Sequence, residues 1–180
     1  MAIQLVKNSK TGFTLIELMI VVVLLAISVG VTGDVLASLI RSYNKTQVLN
    51  EIEQQANFVR LKLDKELKGA SNVTAGAASI SFDTGTPIQS IVYEVANNEV
   101  LRHVDGSNEQ SDKLTNKLGA GGVNVTCGGE CNNVCFNKLS NLSAQRAVIE
   151  ICMLFRSSST LPGFTSSSVL RNVIVSRSGY

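Results

Sequence analysis

Three groups of residues in this chain have types and spacings that could do chemistry. Glu17 is the only charge between Phe13 and Gly33, a carboxylate set near the start of an apolar run, where it demands a cation or a hydrogen-bond donor. Cys127, Cys131, Cys135 and Cys152 are the four thiols of the chain, enough for two disulfides or one four-thiolate zinc site. Asp105 and Glu109, with Asp112 beyond, bring three carboxylates near one turn, which is the raw material of a calcium site. Catalysis has little to draw on. The single His103 stands beside Arg102 in a strand-like run and reads as a surface residue. No Ser-His-Asp grouping, phosphate-binding glycine loop or carboxylate pair is readable, so the sequence predicts no enzyme, no cofactor and no metal.

The element that must carry Glu17 is a helix. Twenty-one residues from Phe13 to Gly33 would span about 31 Å at 1.5 Å each, close to the ~30 Å of a hydrocarbon core. The β-branched run Ile20-Val21-Val22-Val23-Leu24-Leu25 is poor helix material in water, but lipid imposes a helix because only a helix satisfies its backbone locally. The preceding segment, Met1–Gly12, carries Lys7 and Lys10 and no acid, so that end is expected to stay cytoplasmic and the remainder to be exported.

The helix is predicted to continue past the membrane. Val48, Ile52, Ala56, Val59, Leu63 and Leu67 recur at helical spacing and mark one apolar face. Arg60, Asp64 and Lys68 stand four apart on the polar side and should form i,i+4 pairs. Gly69 is the expected C-terminal cap, and Gly30 and Gly33 either soften the helix or let a neighbour approach. Beyond it the chain reads as strands at Ser79–Asp83, Ile88–Val95, Glu99–Val104, Gly122–Cys127, Arg146–Phe155 and Val169–Arg177. Ala96-Asn97-Asn98 is a hairpin turn, since Asn tolerates positive φ. The segment from Ser157 to Ser168, with Leu161-Pro162-Gly163 inside it, is a solvated connection. A long helix packed on an antiparallel sheet is an α+β class.

In an exported domain an even cysteine count points to disulfides, with three possible connectivities. The gaps of three, three and sixteen residues are unlike the paired two-residue knuckles of zinc modules. Cys152 lies in the strongest strand, so its bridge is expected to staple the Cys127–Cys135 loop to the sheet. The Asp105–Glu109 stretch lacks the full spacing of a calcium loop and reads as a solvated turn.

Lys10-Thr11-Gly12-Phe13-Thr14-Leu15-Ile16-Glu17 resembles the processing signature of type IV prepilins and type II secretion pseudopilins. The resemblance implies that a prepilin peptidase cuts after Gly12, the last leader residue, and N-methylates Phe13, the new N-terminus; it makes Glu17 the assembly glutamate. It also implies a pilin-like fold. The corresponding domains are a leader at 1–12, a transmembrane helix at 13–35, an amphipathic continuation at 36–69 and an exported β-rich domain at 70–180. Expected partners are other pilin or pseudopilin subunits, an inner-membrane assembly platform and membrane lipid. The protein is placed in the inner membrane as a single-pass chain and then in the pilus or pseudopilus. Val92-Tyr93-Glu94-Val95, Asn97–Arg102 and Val169–Val173 are similar to J-type minor pseudopilins and their W-type pilus counterparts, while the presence of Glu17 departs from the K-type tip subunit.

Glu17 then has a physical task. A carboxylate at the centre of a bilayer helix costs roughly 2.5–3.5 kcal/mol. After cleavage it would lie just over one turn from a free amine and at the positive end of the helix dipole. A neighbour's amine could pair with it as well, which would set subunits in register. Two other functions compete. A signal peptidase acting in Ser28–Gly33 would release a soluble secreted protein, and some minor pilins take up DNA. Without Lys7 and Lys10 the chain holds 16 − 2 = 14 basic and 14 acidic side chains, so whole-chain charge offers no phosphate-binding surface and nucleic acid is not an expected partner. A local patch would have to come from Arg146, Arg156, Arg171 and Arg177.

Overall fold

The computed structural model describes residues 12–85, 88–105, 111–117, 122–143, 146–161 and 163–176. The expected leader up to Thr11, residues 106–109 of the carboxylate turn, Pro162 and Arg177 lie outside the described residues. The chain divides into two compact units, Met1–Ser42 and Tyr43–Tyr180. One helix, α1 (Leu15–Lys68), contributes to both.

In the first unit every described residue is exposed. An 18-residue window of α1 reaches a mean hydropathy of 2.7 with none of it buried, which suits a lipid environment rather than a protein core. Gly30 and Gly33 sit inside the uninterrupted helix, and a Cβ added at either would meet no atom within 4 Å. None of the described residues therefore packs against them.

The second unit is built on the rest of α1. Its buried residues are Val48, Ile52, Ala56, Val59, Leu63 and Leu67, the six that the spacing puts on one face. Asp64 pairs with Lys68 at 2.6 Å. The expected Arg60–Asp64 pair is not formed among the described residues; the more distal base takes the carboxylate, and Lys62 pairs with Glu66 instead at 3.3 Å. Gly69 does not act as a left-handed cap. The turn closes through the Ala70 N–H, which donates to the Leu67 carbonyl at 3.2 Å, and the first positive φ after the helix belongs to Asn72, at 52°.

Among the described residues nine strands follow, in two antiparallel sheets rather than the single sheet the sequence suggests. The first sheet runs β1 (Ser71–Ala75), β2 (Ser79–Thr84), β3 (Gln89–Ala96), β4 (Glu99–Val104) and β5 (Asp112–Lys113) in order. Asn97 and Asn98 make the β3–β4 turn with φ of 54° and 64°, the left-handed pair that a two-residue hairpin requires. In the second sheet β8 (Arg146–Ser157) is central. It is flanked on one side by β9 (Ser167–Val175) and on the other by β7 (Phe136–Ser143) and β6 (Val123–Thr126). The Val125 N–H donates to the Asn98 carbonyl at 2.8 Å, and the Cys135 N–H donates to the Ala77 carbonyl at 2.6 Å, so backbone bonds join the two sheets.

Alternation on the strands supplies the inner faces of the core. Ile80, Phe82, Ile91, Tyr93 and Val100 come from the first sheet, and Ala147, Ile149, Ile151, Met153 and Phe155 come from β8. All are buried together with the apolar face of α1. The Phe82 and Tyr93 rings stack at 5.9 Å between centroids. This is the α+β arrangement of a long N-terminal helix with antiparallel sheets, as in pilins.

Candidate assembly site

Residues 12–14 lead into α1 without helical structure. The Thr14 carbonyl accepts from the N–H groups of Glu17 at 3.1 Å and Leu18 at 3.2 Å, so Glu17 lies in the first turn. The first N–H groups of a helix have no internal partner, and a carboxylate is favoured beside them. Thr14 and Glu17 also stand at the Thr-x-x-Glu spacing of a capping box, a signal that marks the helix start and is independent of membrane length. Phe13 is 73% exposed. Among the described residues a Cβ added at Gly12 would meet no atom within 4 Å, so packing against them gives no reason for glycine there.

Glu66 is the centre of one cluster. The Tyr93 hydroxyl donates to its Oε2 at 2.6 Å, Arg102 Nε donates to the same oxygen at 3.2 Å, and an Arg102 terminal nitrogen lies 3.1 Å from Oε1. Burial alone would raise the Glu66 carboxyl; the Tyr93 hydroxyl and the Arg102 guanidinium outweigh it and hold its pKa below the ordinary value. Burial and the hydrogen bond to Glu66 push the Tyr93 phenol well above its usual range. Sequence reading missed this clasp because its partners are 27 and 36 positions away. The available signal was Glu66 itself, three residues after Leu63 and seven after Val59, a charge inside the apolar stripe.

The four cysteines form two bridges, Cys127–Cys135 and Cys131–Cys152, with Cα–Cα distances of 4.8 and 5.4 Å. The second ties the loop to β8, and the Cys152 N–H also donates to the Cys135 carbonyl at 2.9 Å. The loop lies over the outer face of β8, where Cys152 and Leu154 are buried. Gly129 adopts a φ of 67° within it, with Leu154 Cδ2 only 3.3 Å from where a Cβ would stand. All four sulfurs are engaged.

The remaining candidates separate. Asp112 faces Arg102 at 3.4 Å, so its charge is engaged on β5. Of the possible phosphate-binding arginines, Arg171 donates to the Glu130 carbonyl at 2.7 Å. In the β8–β9 register Arg171 lies opposite Cys152, four residues along β8 from Arg156, a separation of about 13 Å. Among the described residues no group of three or more His, Cys, Asp or Glu is placed to hold a metal ion.

Residues 7–33 match the family model described as the prokaryotic N-terminal methylation motif. No curated protein and no solved structure matches the chain. An apolar N-terminal helix of this length and composition is consistent with membrane anchoring by a pilin-type protein. The methylation motif, followed by a long helix and antiparallel sheets, supports the type IV prepilin and pseudopilin family for this chain.

Proposed function

We propose that the chain is a structural subunit of a type IV pilus or a type II secretion pseudopilus. In this reading a prepilin peptidase cleaves between Gly12 and Phe13 and methylates Phe13. The chain is held in the inner membrane by the helix that begins there, exports residues 70–180, and is assembled with other subunits on a membrane platform. The observation that carries the reading is the methylation motif over residues 7–33, in which Glu17 is the one acid of an exposed apolar helix. Two further features support it. Gly12 has no packing role among the described residues, as expected if a peptidase reads it. Phe58 and Leu61, on α1, remain 53% and 63% exposed, leaving the helix an apolar surface for neighbouring subunits.

The similarities to minor subunits fall on β3, β4 and β9, where apolar alternation is what any antiparallel sheet requires, and the proposal does not rest on them. DNA uptake is disfavoured because the chain without Lys7 and Lys10 holds 14 basic and 14 acidic side chains, which gives phosphate no net attraction.

The test is the fate of two variants in the native host. Gly12→Val is expected to leave the leader attached, read as the intact mass of the membrane-resident protein. Glu17→Leu is expected to be cleaved and membrane-resident yet depleted from sheared filaments. Normal processing of Gly12→Val, or wild-type incorporation of Glu17→Leu, overturns the proposal.

A further inference from the structure

Strand β9 is the outer strand of the second sheet, paired with β8 over nine consecutive positions without a register shift. The Ser157 N–H donates to the Ser166 carbonyl and the Ser176 N–H to the Ala147 carbonyl, both at 2.9 Å. These bonds fix which residues of β9 face β8. In an antiparallel pair bonded and non-bonded positions alternate, so Ser168, Leu170, Asn172 and Ile174 bond to β8. The N–H and carbonyl groups of Ser167, Val169, Arg171, Val173 and Val175 point the other way, and none has a partner among the described residues. They form a row about 27 Å long.

The other strand edges among the described residues are blunted. Strand β1 has a register shift between Ser71 and Thr74, and Lys138 Nζ donates to its Val73 carbonyl at 2.8 Å. Strand β5 is two residues long, and both are charged. The Val123 and Val125 N–H groups of β6 donate to the Asn116 and Asn98 carbonyls, and β7 is interrupted by register shifts. Strand β9 contains no Pro, Gly or Lys, and its one charge is Arg171. Val173 and Val175, beside the open row, are 58% and 43% exposed. Folded proteins blunt an edge this long, regular and apolar unless a strand pairs with it.

We propose that β9 receives an antiparallel strand of a different polypeptide, with apolar side chains against Val169, Val173 and Val175 and a carboxylate opposite Arg171. Donors and acceptors that repeat every two residues are matched by an extended chain, and the antiparallel sense is the more stable. Arg171 selects the partner. Its guanidinium donates to the Glu130 carbonyl at 2.7 Å. Glu130 and Glu150 line a cleft with it, but neither carboxylate pairs with it among the described residues, so an acid across the edge answers its charge. Arg171 is also the middle residue of the row. A second copy pairing along the whole edge would set Arg171 against Arg171, which is unfavourable, and sliding it out of that register leaves outward groups unpaired. The inference concerns the β-rich unit and does not depend on the reading of the membrane segment.

The test uses the full chain, detergent-solubilised, and a labelled synthetic peptide as long as β9. The peptide places valine against Val169, Val173 and Val175, glutamate against Arg171, serine against Ser167 and threonine between. Fluorescence anisotropy is expected to show saturable binding. In an antiparallel ladder the valines turn their own N–H groups toward β9 and the threonines turn theirs away. N-methylation of the valines should weaken binding about tenfold or more, because it leaves β9 carbonyls unpaired; N-methylation of the threonines should leave binding unchanged. Val173→Pro deletes an outward N–H and no bond to β8, so it should weaken binding while the melting midpoint is kept. The methylated peptides carry the test if that variant loses its fold. Wild type should prefer the glutamate peptide over its lysine counterpart roughly threefold, and Arg171→Gln should remove the preference. No saturable binding at about millimolar peptide, equal sensitivity to both methylation patterns, undiminished binding by folded Val173→Pro, or a glutamate preference that survives Arg171→Gln overturns the proposal. Chain dimers that the peptide disperses would give the edge to a second copy and overturn it too.

Discussion

Glu66→Ala is the substitution whose cost the structure fixes best. It deletes the acceptor for the Tyr93 hydroxyl at 2.6 Å and for two Arg102 nitrogens at 3.2 and 3.1 Å. Arg102, with a side chain only 14% exposed, keeps Asp112 as its one remaining ion-pair partner, and that carboxylate is 63% exposed. The Tyr93 hydroxyl is left buried without an acceptor. Breaking one side of a buried pair costs 3–5 kcal/mol; with one partner remaining, about 3 kcal/mol is expected. For a unit of this size that lowers the melting midpoint by about 10 °C. Tyr93→Phe removes one hydrogen bond to a charged acceptor, leaves Glu66 and Arg102 paired, and should cost about 1.5 kcal/mol. The pH dependence has a definite sign. The Glu66 pKa lies below its ordinary 4.5 when folded, so its contribution is complete above about pH 4.5 and disappears as the pH falls through the lower folded value. Thermal melts of the detergent-solubilised protein at pH 7 and across pH 5 to 2 should therefore show the gap between wild type and Glu66→Gln closing in acid. Equal midpoints at pH 7, or a gap that persists unchanged at the acid end, would refute the clasp.

Two further outcomes follow from the covalent loop. Cys152→Ser should free one thiol, located at Cys131 by peptide mapping of alkylated protein, while Cys127 stays bridged to Cys135; loss of a native disulfide in a small domain typically costs about 2–5 kcal/mol, read as a lower melting midpoint. Gly129→Ala should cost roughly 1–2 kcal/mol from the left-handed backbone alone, with a further loss where the new methyl meets Leu154. Leu154→Ala is itself costly because Leu154 is buried, so the steric part shows as a double variant whose loss is smaller than the sum of the two single losses, measured by the same melts.

What could be read from the sequence follows from periodicity. The apolar face of α1 was legible residue for residue, because a helix laid on a core repeats every three or four positions. Strand β8 was legible because its odd positions from Ala147 to Phe155 are all apolar, and the β3–β4 turn because two consecutive Asn residues accept positive φ. Strands β1, β5 and β7 were not. Strand β1 offers only Val73 to the core, and β5 is two residues long. Strand β7, Phe136-Asn-Lys-Leu-Ser-Asn-Leu-Ser143, pairs with β8 across register shifts at Lys138/Ser140 and Asn141/Ser143. Each shift adds one residue to β7 relative to β8, so the two-residue alternation that identifies a strand is broken inside it. The disulfide connectivity was open for a related reason: spacing does not reveal that Cys135 and Cys152 come to face each other across β7 and β8.

Helix α1 carries carboxylates with opposite solutions to the same problem. Glu66 and Asp64 find their cations within the chain, Glu66 on β4 and Asp64 one turn on at Lys68, and each therefore acts on folding. Glu17 and Asp34 have no such partner among the described residues, in the stretch where every described side chain is exposed. A carboxylate is tolerated in apolar surroundings only when its charge is answered. In this reading the answer for Glu17 comes from another chain, as an N-terminal amine. Separation along one helix divides the labour. Removing Glu66 should lower the melting midpoint of the β-rich unit without altering processing, and removing Glu17 should leave that midpoint unchanged while assembly fails.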